Sequence, residues 1–139
     1  MWSVRGFSTA AAAVLTMLGA LAAIADRARA DDGFPFGFEL TLDVAQQPGS
    51  KRVPLLEIGD SGEATLDLWC KDARGQFSVA GNTVIFVPGP VEDHDCSPAQ
   101  AAADDQLVTA LSEATSWKRD GDFISFIGTK SLRFHLNTN

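Results

Sequence analysis

A chain of 139 residues with 18 acidic and 11 basic side chains carries a formal net charge of −7. Such a surface repels nucleic acid and anionic lipid headgroups, so a function driven by electrostatic attraction to either is excluded. The length suits one domain, and the two cysteines, Cys70 and Cys96, allow one disulfide at most.

The first thirty residues read as an export signal. Arg5 supplies the positive start, an apolar run follows over residues 9–24, and Ala28-Arg29-Ala30 places small residues where a signal peptidase reads them. Cleavage is expected between Ala30 and Asp31. The alternative is a retained anchor, but the 16-residue run is short of the roughly 20 residues needed to span a bilayer. Absence of a cysteine near the cleavage point argues against lipid attachment, and absence of an Arg-Arg pair argues for the general export route. Without Arg5, Arg27, Arg29 and Asp26, the domain at 31–139 keeps 8 basic and 17 acidic residues, a net charge of −9. A chain of that size buries roughly 65% of its unfolded surface. After cleavage, nothing in it could cross a membrane.

The remainder is dominated by period-two alternation. Phe34, Phe36, Phe38, Leu40, Leu42 and Val44 occupy every second position, which places all six on one face of a strand. Pro35 and Gly37 delay its start to about Phe38. A turn at Gln47-Pro48-Gly49-Ser50 leads to a strand over 52–58, and Gly59-Asp60-Ser61-Gly62 turns into a third over 64–70. There Ala64, Leu66, Leu68 and Cys70 share the apolar face, with Thr65, Asp67 and Trp69 opposite. Trp69 is thus expected outside the barrel, packed beneath a helix. Asp72-Ala73-Arg74-Gly75 reads as a hairpin turn. Strands over 76–79 and 83–87 follow, joined through Ala80-Gly81-Asn82, and Pro88 and Pro90 are expected to end pairing.

One helix follows. Ser97 is an N-cap, Pro98 fits the first helical position and Gln100 completes a capping box. Ala103, Leu107, Leu111 and Ala114 form an apolar stripe, so the helix is predicted over 98–115 with that stripe against the sheet. Asp104 and Asp105 gain little from the helix dipole. Strands over 122–127 and 131–136 close the chain. The expected fold is mainly β (α+β in the loose sense): a small antiparallel β-barrel or sandwich of about seven strands with one packed amphipathic helix.

Export delivers the chain to an oxidising compartment, where Cys70 and Cys96 are expected to form a structural disulfide rather than remain free. Closing a loop of about 27 residues stabilises by roughly 3.5 kcal/mol on the chain-entropy estimate.

Motifs that could carry chemistry weigh little. Gly59-Asp60-Ser61-Gly62 resembles the nucleophile loop of trypsin-like proteases, but His94 and His135 both follow the serine, whereas that family places its histidine first. A hairpin turn explains these residues. Glu92-Asp93-His94-Asp95 is dense in metal-ligand types, yet neighbours in an extended loop point in alternate directions and the spacing matches neither a zinc nor a calcium site. A solvated acidic loop is expected, and His135, facing away from Phe134 and Leu136, is a surface histidine. No residue is assigned to catalysis, to a metal or to a cofactor.

The order of elements resembles the META domain, or HslJ-like, family of bacterial exported and envelope-associated proteins over about 53–136. Matching features are Cys70 after a central strand, the step Gly75-Gln76-Phe77, a further strand, Cys96, the helix with Leu107 and Leu111, the Gly121-Asp122 hairpin and Leu132-Arg133-Phe134. This chain departs from the family at Trp69-Cys70-Lys71, where Gly-Cys-Asn is usual, and at Asp93-His94-Asp95, where a Thr-x-Met stretch is usual. The resemblance implies a small barrel with one helix, no established catalysis, and a role in envelope maintenance or stress tolerance. The expectation is a non-enzymatic periplasmic or secreted domain with an unknown protein or small-molecule partner in the envelope. The alternative is a small barrel binding module, of lipocalin-like or bacterial protease-inhibitor type. A metal-dependent hydrolase using His94 is a third reading.

Overall fold

The computed structural model describes residues 33–138. The export signal expected over 1–30, and its cleavage after Ala30, lie outside them. Eight antiparallel strands follow one another around a closed barrel: β1 (Phe38–Leu42), β2 (Leu55–Ile58), β3 (Glu63–Asp67), β4 (Asp72–Ala80), β5 (Thr83–Glu92), β6 (Ser116–Asp120), β7 (Phe123–Ile127) and β8 (Leu132–Leu136). Closure is through β1 against β8, with Leu40 opposite Leu136 and Leu42 opposite Phe134. Among the described residues, no helix is long and apolar enough to cross a membrane.

Alternation fills the interior. Leu40, Leu56, Ile58, Leu66, Val84, Ile124, Phe126, Phe134 and Leu136 are almost wholly buried, each from a strand position whose neighbours face out. Phe77 stacks on Phe126 with ring centroids 5.4 Å apart, and Phe126 meets Phe134 edge-on at 5.7 Å. Phe34, just before β1, packs on Trp117, Phe77 and Phe126. Each such aromatic removes a large apolar area from water. Gly75 is required where it stands: a Cβ there would collide with the Phe86 ring, which lies directly over the β4 backbone.

The weak point of closure is β5 against β6, which share one paired position, Thr83 with Ser116. Helix α1 (Pro98–Glu113) connects these two strands and packs on β5. It sends Leu107 and Leu111, followed by Ala114, into the same core as the barrel side chains. The capping box is formed: the Gln100 N–H donates to Ser97 Oγ at 3.2 Å and the Ser97 N–H to Gln100 Oε1 at 3.4 Å.

The barrel and the one helix among the described residues agree with the expected class, but several local readings need correction. The described residues hold eight strands, in keeping with about seven expected; the one not foreseen is Ser116–Asp120, which pairs with β7 although only Trp117 within it carries an apolar signal. The six-residue stripe does not lie on one face. Leu40 and Leu42 point inward, Phe34 enters the core from before the strand, and Phe38 and Val44 are exposed where β1 runs out of the barrel. Asp72-Ala73-Arg74-Gly75 is no turn but the start of β4. Pro88 and Pro90 do not end β5. Two β5 residues, Gly89 and Pro90, face the single residue Arg74 in a bulge, and pairing resumes at Val91 with Ala73. A bulge tolerates proline because the extra residue owes no ladder hydrogen bond. The third strand ends at Asp67, so Cys70 is not on it; Trp69, likewise outside the strand, is buried.

Candidate functional site

The residues of chemical interest gather at one corner of the barrel, where the chain between β3 and β4 meets the loop before α1. Leu68 to Lys71 leave the sheet because two charged side chains capture their backbone. The N–H groups of Trp69, Cys70 and Lys71 donate to the Asp104 carboxylate at 2.7, 3.0 and 2.8 Å. Asp104 is fully buried. From the other side, the Arg52 guanidinium donates to the carbonyls of Leu68, Cys70 and Lys71 at 2.6, 3.0 and 3.2 Å and to Asp72 Oδ1 at 3.2 Å. A buried charge is tolerated when hydrogen bonds replace its lost hydration, and Asp104 has three.

The loop before α1 is bound to the same segment. Cys70 and Cys96 form the expected disulfide, with Cα atoms 5.8 Å apart. Lys71 Nζ lies 3.1 Å from Asp93 and 3.3 Å from Asp105. These contacts, the Asp93 hydrogen bond foremost, raise the Lys71 ammonium above its ordinary pKa despite partial desolvation. His94 Nε2 lies 2.9 Å from Asp72 Oδ2. That hydrogen bond, aided by Arg52, holds the Asp72 carboxyl below its ordinary range against the opposing effect of burial.

The acidic loop Glu92-Asp93-His94-Asp95 is therefore not merely solvated. Asp93 and His94 hold partners on the facing segment, while Asp95 is exposed. The sequence missed three residues that organise this corner: Arg52, Asp72 and Asp104. One signal was present, since Asp104, Leu107 and Leu111 fall at i, i+3 and i+7, which puts an acid on the apolar stripe of the helix. Arg52 and Asp72 had no local signal, being 20 positions apart.

The other candidate motifs lie elsewhere. Gly59 to Gly62 form the turn between β2 and β3, where the Ser61 N–H donates to Glu63 Oε2 at 3.2 Å and Gly62 has φ of 86°. Neither histidine joins it: His94 holds Asp72, and His135 lies exposed at the surface, edge-on to Phe123 at 5.1 Å. Trp117 is buried and donates its Nε1–H to the Gly81 carbonyl at 2.7 Å.

No family model matches this chain, and no curated protein does. A solved structure described as "NMR structure of the protein" is similar to it over 72% of this chain and 89% of its own, with a TM-score of 0.57 and 12% sequence identity. At that identity the likeness is one of fold.

Proposed function

We propose that this chain is a divergent META-like, or HslJ-like, domain that works outside the cytoplasm without catalysing a reaction, in envelope maintenance or stress tolerance. The observation that carries the reading is a disulfide-fastened barrel whose interior is occupied by its own side chains. Eleven apolar side chains of the core, among them Phe126, Phe134, Leu40 and Leu66, are less than 2% exposed. The order of elements supports the kinship: a cysteine just after a central strand, Gly75 and Phe77 in the next, Cys96 ahead of α1, and the β6–β7 hairpin before Leu132-Arg133-Phe134. Gly75 has a physical reason in the overlying Phe86 ring.

The disulfide supports the compartment, since such bridges persist where the surroundings are oxidising. A lipocalin-like carrier would need free volume along the barrel axis, so the packed interior favours a role performed by the outer surface. Cell fractionation with intact-mass analysis tests the reading. The expected product is periplasmic or secreted, begins at Asp31 and gains two hydrogens on reduction, and its deletion sensitises cells to envelope stress. A cytoplasmic, unprocessed and reduced protein would overturn the reading.

A further inference from the structure

Strand register places like charges side by side at the corner already described. Asp67 on β3 is opposite Asp72 on β4, and Asp72 is opposite Glu92 on β5. Directly opposed residues share one face of a sheet, and like charges in that arrangement are destabilising. Three adjacent strands thus present a line of three carboxylates. Among the described residues, Asp72 is held by the Arg52 guanidinium and by His94 Nε2, whereas neither Asp67 nor Glu92 has an ion pair. His94, two residues past the end of β5, folds back over the line. One ligand atom from each of Asp72, Glu92 and His94 falls within 4.8 Å of the other two.

We propose that Asp72, Glu92 and His94 form a binding site for a divalent transition-metal ion of the zinc class. An imidazole with two carboxylates suits such an ion better than calcium or magnesium, which favour oxygen donors alone. Three protein ligands leave further positions to water. The ion takes the place now filled by the hydrogen bond between His94 Nε2 and Asp72 Oδ2. Arg52 grips Asp72 Oδ1, which turns Oδ2 towards the ion, as outer partners of metal-binding carboxylates do. The disulfide serves the same geometry, because Cys70 is two residues before Asp72 and Cys96 two residues after His94. Exposure of Glu92 and His94 and the nearby Arg52 charge keep the affinity in the micromolar range. Sequence alone assigned no metal residue here because Asp72 is 20 positions from Glu92 and reaches it only through the pairing of β4 with β5.

Isothermal titration of Zn²⁺ into the purified, oxidised protein tests the site. The expected result is one saturable site of micromolar affinity, weakened about tenfold or more in His94→Ala and in Glu92→Gln. His135→Ala, which removes the imidazole lying on Phe123, should bind as the parent does. Both ligand positions are exposed, so the variants should keep the parent's circular dichroism, which separates loss of the site from loss of the fold. Absence of saturable binding, full affinity in His94→Ala, or Mg²⁺ bound as tightly as Zn²⁺ would each overturn the proposal, the last by showing a diffuse acidic surface and not a site.

Discussion

The barrel interior and the disulfide corner are held together by opposite means. Inside, Phe77, Phe126 and Phe134 meet ring to ring among aliphatic side chains, and the stabilising force is removal of apolar surface from water. At the corner, residues 68–71 belong to no strand, and their order comes from one buried carboxylate, one guanidinium and one covalent bond. Apolar packing is distributed and tolerates local loss. The corner depends on a few directional contacts, and loss of the buried Asp104 carboxylate would strand the three N–H groups it holds.

That contrast can be broken from either side, and the largest effect is expected inside. Phe126→Ala should cost about 4 kcal/mol through lost burial and a residual cavity, read as a lowered urea midpoint by every probe alike. Replacing both Cys70 and Cys96 by alanine should cost about 3.5 kcal/mol, mostly by freeing the unfolded chain, with the barrel's circular dichroism retained. Asp104→Ala should cost about 3 kcal/mol by orphaning three backbone N–H donors. Its signature is loss of amide protection at Trp69, Cys70 and Lys71, with the barrel strands unaffected. Gly75→Ala sharpens the comparison from the other direction: on an outer strand it would be mild, but under the Phe86 ring it should cost about 1–3 kcal/mol.

The smallest effect is electrostatic. Because the folded protein lowers the Asp72 pKa, the associated stability is present above the ordinary carboxylate pKa and is lost as pH falls through the lowered folded value. In His94→Ala the Asp72 titration, followed by carboxyl carbon shifts, should move upward, since His94 is the main cause of the depression. An unchanged titration would remove His94 from that role.

The two regions also differed in how far they could be read from sequence. Alternation of Leu40 with Leu42, Leu132 with Phe134, and Ile124 with Phe126 announces strands because a sheet face repeats every two residues. Ser97, Pro98 and Gln100 announce the helix start because the orphan N–H groups there need those partners. β6 was missed because it contributes one buried residue, Trp117, and its other side chains face water. Pro90 misled because a bulge, which depends on the partner strand, has no signal of its own, and Pro88 stands opposite Gly75 just ahead of that bulge. At the corner only the disulfide was legible. Arg52, Asp72 and Asp104 act across sequence separations of 16 to 35 residues, so their roles exist only once β3, β4 and α1 are in place.

Native-state hydrogen exchange on the oxidised and the reduced protein tests the central contrast most directly. If the corner is a separately fastened unit, reduction should lower protection at residues 68–72 and 93–97, while amides of β1, β7 and β8 keep theirs. A uniform fall across barrel and corner, or no change at the corner, would contradict that division.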